Sequence, residues 1–299
     1  GTLSSSGSWQ RPKLALGSTG PGLPLLGAWQ AALRWEQGVL HLDHWSSRQL
    51  QASGALPIQA ERGRGLRLGA LQLDLALQQY PLQQLQPLLQ LPIAGRLNAR
   101  GSVQGPLHNL TSRLDLALSD PAAGPLQLNE RWQGQWQGQQ RRGATLALAA
   151  VAPAPTGSLT VQIGPRWRLE QLRLERGRGE LTLLSGNGGW QWQARGLLLN
   201  GVALQLGRLG GQPLGGELSG AGRVATQPLA IEGSAQVLRP SLPGVRLQQL
   251  QLSGQLKGGT YRLSSTLTPP SEGVVNLEGQ GRWGGPFALR ANARRLDVD

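Results

Sequence analysis

Three histidines, two aspartates in matching positions and a scatter of arginines are the side chains of this 299-residue chain that could do chemistry. His41 and His44 stand three apart in a segment that reads as a strand. Strand alternation sends them to opposite faces, where they cannot share a metal ion. Asp74 and Asp115 hold equivalent places in two similar segments, Leu73 to Leu77 and Leu114 to Leu118. Each lies on a polar face with nothing that divides the roles of acid and base between them. The stretch Gly215-Gly216-Glu217-Leu218-Ser219-Gly220-Ala221-Gly222 lacks phosphate-loop spacing and reads as hairpin-like. There is no cysteine, hence no thiol nucleophile, disulfide or cysteine metal site. The expectation is a protein that is not an enzyme and holds no metal or other cofactor.

What the chain does write repeatedly is leucine in alternation. The same phrase (apolar, any, Leu, two spacers, Leu, any, Leu) runs from Leu66 to Leu73, from Trp167 to Leu174 and from Val245 to Leu252. Period two marks a half-buried strand. The spacers Gly69-Ala70, Glu170-Gln171 and Gln248-Gln249 slip the phase by one, so each predicts a bulge or a strand break. The phrases begin at unequal intervals, which counts against a solenoid of fixed period.

Composition agrees with many short elements. The 44 glycines and 20 prolines are about a fifth of the chain, against roughly 12% in average usage. Hydrophobic residues make up only 39% and aromatics 4%. Sustained alternation argues against disorder. The longest aliphatic run, Ala144 to Ala152, is half of what a membrane helix needs. The net charge of +13 is arginine's, since Lys13 and Lys257 are the only lysines. Such a surface suits anionic partners, but the arginines are spread singly over strand faces and Gly turns such as Glu175-Arg176-Gly177-Arg178-Gly179, and no nucleic-acid-binding motif is present.

Local signals place the elements. Trp29, Ala31, Leu33 and Trp35 share one face of a hairpin that turns at Gln37-Gly38 and returns through Leu40 and Leu42. Leu71, Leu73, Leu75 and Leu77 share a face of the next clean strand. From Pro81 the spacing Leu82, Leu85, Leu88, Leu89 predicts a short helix ended by Pro87 and Pro92. Asn200-Gly201 predicts a two-residue type I′ hairpin pairing Leu199 with Val202 and Leu197 with Leu204. Residues 149–157 form a weak seam in what reads as one segment spanning 1–299.

The stretch Pro81-Leu82-Gln83-Gln84-Leu85-Gln86-Pro87-Leu88-Leu89, Leu91-Pro92, Gly95-Arg96-Leu97, Gly101, Gly105-Pro106-Leu107 and the leucine strand after it resemble the helix-then-strand phrase of the TamB and AsmA-like envelope proteins. The phrases at 167–174 and 244–256 are similar to that family's. The resemblance implies an all-β fold: a mostly antiparallel sheet curled into a half-pipe, or β-taco, with a leucine-lined groove and one or two short helices. It also implies a location between the inner and outer membranes of a Gram-negative-type envelope, with membrane contact through parts outside this segment, an N-terminal helix among them. The implied cargo is phospholipid. The implied alternative is assembly or secretion of outer-membrane proteins with a barrel of the BamA family as partner. A uniform aliphatic face suits acyl chains, and arginines at its margins would suit headgroup phosphates. The groove residues expected are Leu71, Leu73, Leu75, Leu77, Leu114, Leu116, Leu118, Leu197, Leu199, Val202 and Leu204. An ordinary closed sandwich core is the competing use of the same leucines.

Overall fold

The computed structural model describes residues 2–8, 11–23, 27–61, 65–86, 93–124, 126–186, 188–205, 211–226, 229–242, 245–282 and 285–295. Alternating leucines punctuated by Gly and Pro give strands throughout: the fold is all-β, a long open sheet with antiparallel pairings. The helix expected after Pro81 is a single 3₁₀ turn, Leu82–Leu85, with Pro81 as its N-cap residue. Pro87, Leu88, Leu89, Leu91 and Pro92 lie outside the described residues.

The chain forms two compact units. The first comprises Gly1–Gly124, Arg131–Leu148 and Ile163–Arg168, and the second Pro125–Glu130, Ala149–Gln162 and Leu169–Asp299. Directly opposed residues in an antiparallel sheet share a face, so the pairing register sorts every side chain. In the first unit, Ala31, Trp45, Ala52, Leu75, Gly101, Leu114 and Trp136 form one rung across seven strands. Its neighbours are Leu33, Leu42, Gly54, Leu73, Val103 and Ser112 on one side and Leu50, Leu77, Ala99, Leu116 and Gly134 on the other. The rung between them runs Ser46, Gln51, Ala76, Arg100, Asp115 and Gln135 on the opposite face. One face is therefore almost wholly apolar and the other polar.

The second unit repeats the arrangement. Leu174, Leu181, Ala194, Gly220, Ala235, Leu252, Ser265, Leu277 and Ala291 form a rung across nine strands. Leu197, Leu218, Val237, Leu250, Leu267 and Val275 form a second rung on the same face.

Bulges recur in a shared arrangement. Gly95, Gly216 and Gly273, with φ of +125°, +109° and +136°, each begin the phrase Gly-x-Leu/Val-Asn/Ser-x-x-Gly, at 95–101, 216–222 and 273–279. Beside each on the next strand is another residue with positive φ: Asp120, Arg239 and Arg295. In the first two copies the preceding strand also bulges, at Gln79 and Gly196. The freed N–H donates to a side chain of the phrase itself, Gln79 N to Asn98 Oδ1 at 2.8 Å and Gly196 N to Ser219 Oγ at 2.9 Å. The residues just past these bulges, Tyr80 and Leu197, are buried, and burial raises the Tyr80 phenol's pKa. Asn98→Ala and Ser219→Ala should each cost about 1 kcal/mol, one satisfied backbone donor. A Cβ on Gly216 would stand 2.6 Å from the Leu238 carbonyl oxygen. With the left-handed backbone added, Gly216→Ala should cost about 3 kcal/mol in urea unfolding.

Several sequence expectations change. Gly69 does break the strand: its N–H donates to Pro57 O at 2.7 Å, and one long strand, Leu50–Glu61, pairs with the segments on either side of it. A break also falls at Leu247-Gln248. In the 167–174 phrase the irregularity lies earlier, at Trp167 with φ +56°, and Glu170-Gln171 is inside the strand Leu169–Arg176. The Gly215 to Gly222 stretch is one continuous strand, Gly215–Thr226. At Asn200-Gly201 the chain turns, with Val202 N donating to Leu199 O at 3.0 Å, but no hairpin ladder follows. Gly201 has φ +85° while Asn200 is not left-handed, which is a type II turn. Such a turn splays the strands that a type I′ turn would close. Leu197 accordingly pairs with Leu218, and Leu204 with Leu126.

Candidate functional site

The apolar face is the feature with the greatest chemical capacity. Leu71, Leu73, Leu75, Leu77, Leu114, Leu116 and Leu118 are brought together on it in the first unit, each half-buried. They stand among Trp45, Trp132 and Trp136, which carried no signal distinguishing them from polar-strand tryptophans until strand register was known. From Ala31 to Leu114 the central rung alternates small and large residues. Trp136 stacks on Trp167 with centroids 6.1 Å apart and donates Nε1–H to Ser112 Oγ at 2.9 Å.

The remaining expected residues belong to the second unit and divide there. Leu197 is buried on the apolar face. Leu199 is half-buried in the turn, its N–H donating to Gly216 O at 2.9 Å. Val202 is half-buried and pairs with Leu128 in a different ladder. The side chain of Leu204 lies outside the described residues.

Little covers these faces. Most face leucines are half-buried by their neighbours alone, and fully buried positions such as Trp132, Ala99 and Val237 are sparse. A closed sandwich would bury them.

Among the described residues charge lies mainly on the other face. Arg34 clasps Asp43 at 3.1 and 3.2 Å and reaches Glu36 at 2.5 Å. The Asp43 carboxylate, first by hydrogen bond, holds the Arg34 pKa above its ordinary value. Arg173 bridges Glu175 and Glu180 at 2.9 and 3.1 Å. Arg100 and Arg113 also occupy polar rungs, opposite the leucines instead of at their margins. His41 and His44 share the polar face, because the strand Val39–Ser47 bulges between Leu42 and Trp45 and restores the phase the count of three had lost. Among the described residues no group of three His, Cys, Asp or Glu could hold a metal ion. Asp74 faces Ser102, and Asp115 faces Arg100 and accepts from Gln135 Nε2 at 3.2 Å.

Arg176 departs from this. It continues the alternation of Leu172 and Leu174 onto the apolar face and is 1% exposed. Its guanidinium makes a two-pronged pair with Glu130, Nη1 to Oε2 at 2.9 Å and Nη2 to Oε1, and also donates to the Asn200 carbonyl. The reading of this arginine as a solvated turn residue is thus overturned. Period two placed it inside, and Glu130, 46 residues away, made that placement tolerable.

Comparison with known proteins adds no relative to this geometry: no family model, no curated protein and no solved structure matches the chain.

Proposed function

We propose that the chain is a bridge segment whose apolar β-face carries phospholipid acyl chains between the inner and outer membranes of a Gram-negative-type envelope. The observation that carries this reading is the almost wholly apolar face across seven strands of the first unit, half-buried where a core would bury it fully. Seven strands at about 4.8 Å spacing give roughly 30 Å of aliphatic surface. Each methylene laid on it contributes about 0.8 kcal/mol, so ten give about 8 kcal/mol, micromolar affinity before ordering costs. Aliphatic contact has no direction, so headgroup selectivity should be weak. Mass spectrometry of lipids extracted from the purified chain should find glycerophospholipids of mixed headgroup. A chain free of lipid from a lipid-rich source would refute the proposal.

A second reading has its own observation. All eight residues of the strand Phe287–Arg294 are exposed, Phe287 and Leu289 by 72% and 65%. Such a strand suits a scaffold that receives outer-membrane protein strands by strand addition, with a BamA-family barrel as partner. Photo-crosslinking residues at Leu75 and Leu199 distinguish the two: lipid adducts at both support the conduit, and protein adducts without lipid support the scaffold.

A further inference from the structure

The polar face has a recess at the same place in each unit. Relative to the bulge glycines, Asn98, Asp115, Gln133 and Gln135 in the first unit correspond by strand register to Ser219, Ser234, Gln251 and Ser253 in the second. The recurrence has a cause, since bulges on adjacent strands bend them and increase their twist, hollowing the sheet beside the row. The two recesses differ in lining. The first holds Arg100 and Asp115, and Gln135 already donates to Asp115. The second, about 400 Å³, has no charged residue in its lining, although the chain carries a net charge of +13. Among the described residues, Ser234, Gln236, Gln251, Ser253 and Ser264 make no side-chain hydrogen bond within the protein.

We propose that the second-unit recess binds a neutral glycan. Its volume lies within the range of about 300–1,000 Å³ found for ligand sites. Each glutamine offers two donors and an acceptor, and each serine one donor and two lone pairs. That inventory complements a ligand dense in hydroxyl and amide groups. The lining holds no cation to attract an anionic polymer, and its aliphatic members Ala235 and Leu252 belong by register to the opposite face. The site is on the face opposite the leucines and does not depend on the acyl-chain proposal.

The test titrates the full, ¹⁵N-labelled chain with chitotetraose, a neutral oligosaccharide bearing both hydroxyls and acetamides. Saturable shifts should appear at the side-chain amides of Gln236 and Gln251 and be absent at Gln72, which lies on the polar face outside either recess. Gln251→Ala should weaken binding about fivefold, the equivalent of one neutral hydrogen bond near 1 kcal/mol. Ser253→Ala provides a second variant, and unchanged backbone amide spectra show that both remain folded. Absence of saturable shifts, shifts of equal size at Gln72, or an equal response to dextran sulfate would each overturn the proposal.

Discussion

Glu130→Gln should lower the free energy of unfolding by about 3–5 kcal/mol, the penalty for leaving a buried arginine without its counter-charge. Arg176 is 1% exposed and its partner carboxylate 4%, so water cannot take over solvation of the orphaned guanidinium. Burial decides this magnitude. Arg173, whose pairs with Glu175 and Glu180 are half-exposed, should lose under about 1 kcal/mol on substitution by Gln. The double variant Glu130→Leu with Arg176→Met should recover much of the loss, because two apolar groups of similar volume need no compensation. Urea unfolding of the four proteins checks the ordering. A Glu130→Gln cost no larger than that of Arg173→Gln would show that the pair is solvated.

Leu116→Asp should leave the chain folded and remove most of the lipid that co-purifies with it. Leu116 is half-buried at the middle of the first unit's apolar face. A carboxylate there still reaches water, so we expect a stability cost below about 2 kcal/mol, while acyl chains would meet an unpaired charge. Trp132→Ala is the contrasting case: at 2% exposure the indole is true core, and its removal should cost about 3–5 kcal/mol without placing a charge among the leucines. Circular dichroism and lipid mass spectrometry on both variants separate the effects. Unfolding by Leu116→Asp would mean that the face is covered and the lipid proposal is wrong.

Which residues share a face was largely legible from periodicity, and the exceptions have specific causes. Leu71 to Leu77 and Leu114 to Leu118 alternate without interruption, so they fall together on one side as read. His41 and His44 were assigned opposite faces by the same count, and one bulged residue, Asp43, reversed the result. Asn200-Gly201 predicted a turn correctly and its consequence wrongly. Dipeptide identity favours a turn, while the sign of φ at the first central residue decides whether strands close or splay.

The bulge phrase was present at Gly95, Gly216 and Gly273 but was not recognisable from spacing alone. Its copies share only two glycines, an aliphatic residue and a small polar residue, and what makes them equivalent is backbone conformation, joined in the first two by a cross-strand hydrogen bond to a freed backbone N–H.

Arg176 shows most clearly where sequence stops. Alternation with Leu172 and Leu174 determined that its side chain points to the apolar face. Whether that placement would be ruinous or stable depended on Glu130 and the Asn200 carbonyl, 46 and 24 residues away along the chain. Strand period is a local property of the covalent chain, so the sequence by itself determined an all-β fold with one apolar and one polar face. Register, bulge position and the pairing of distant charges depend on which strands meet, and the tertiary structure alone decided those.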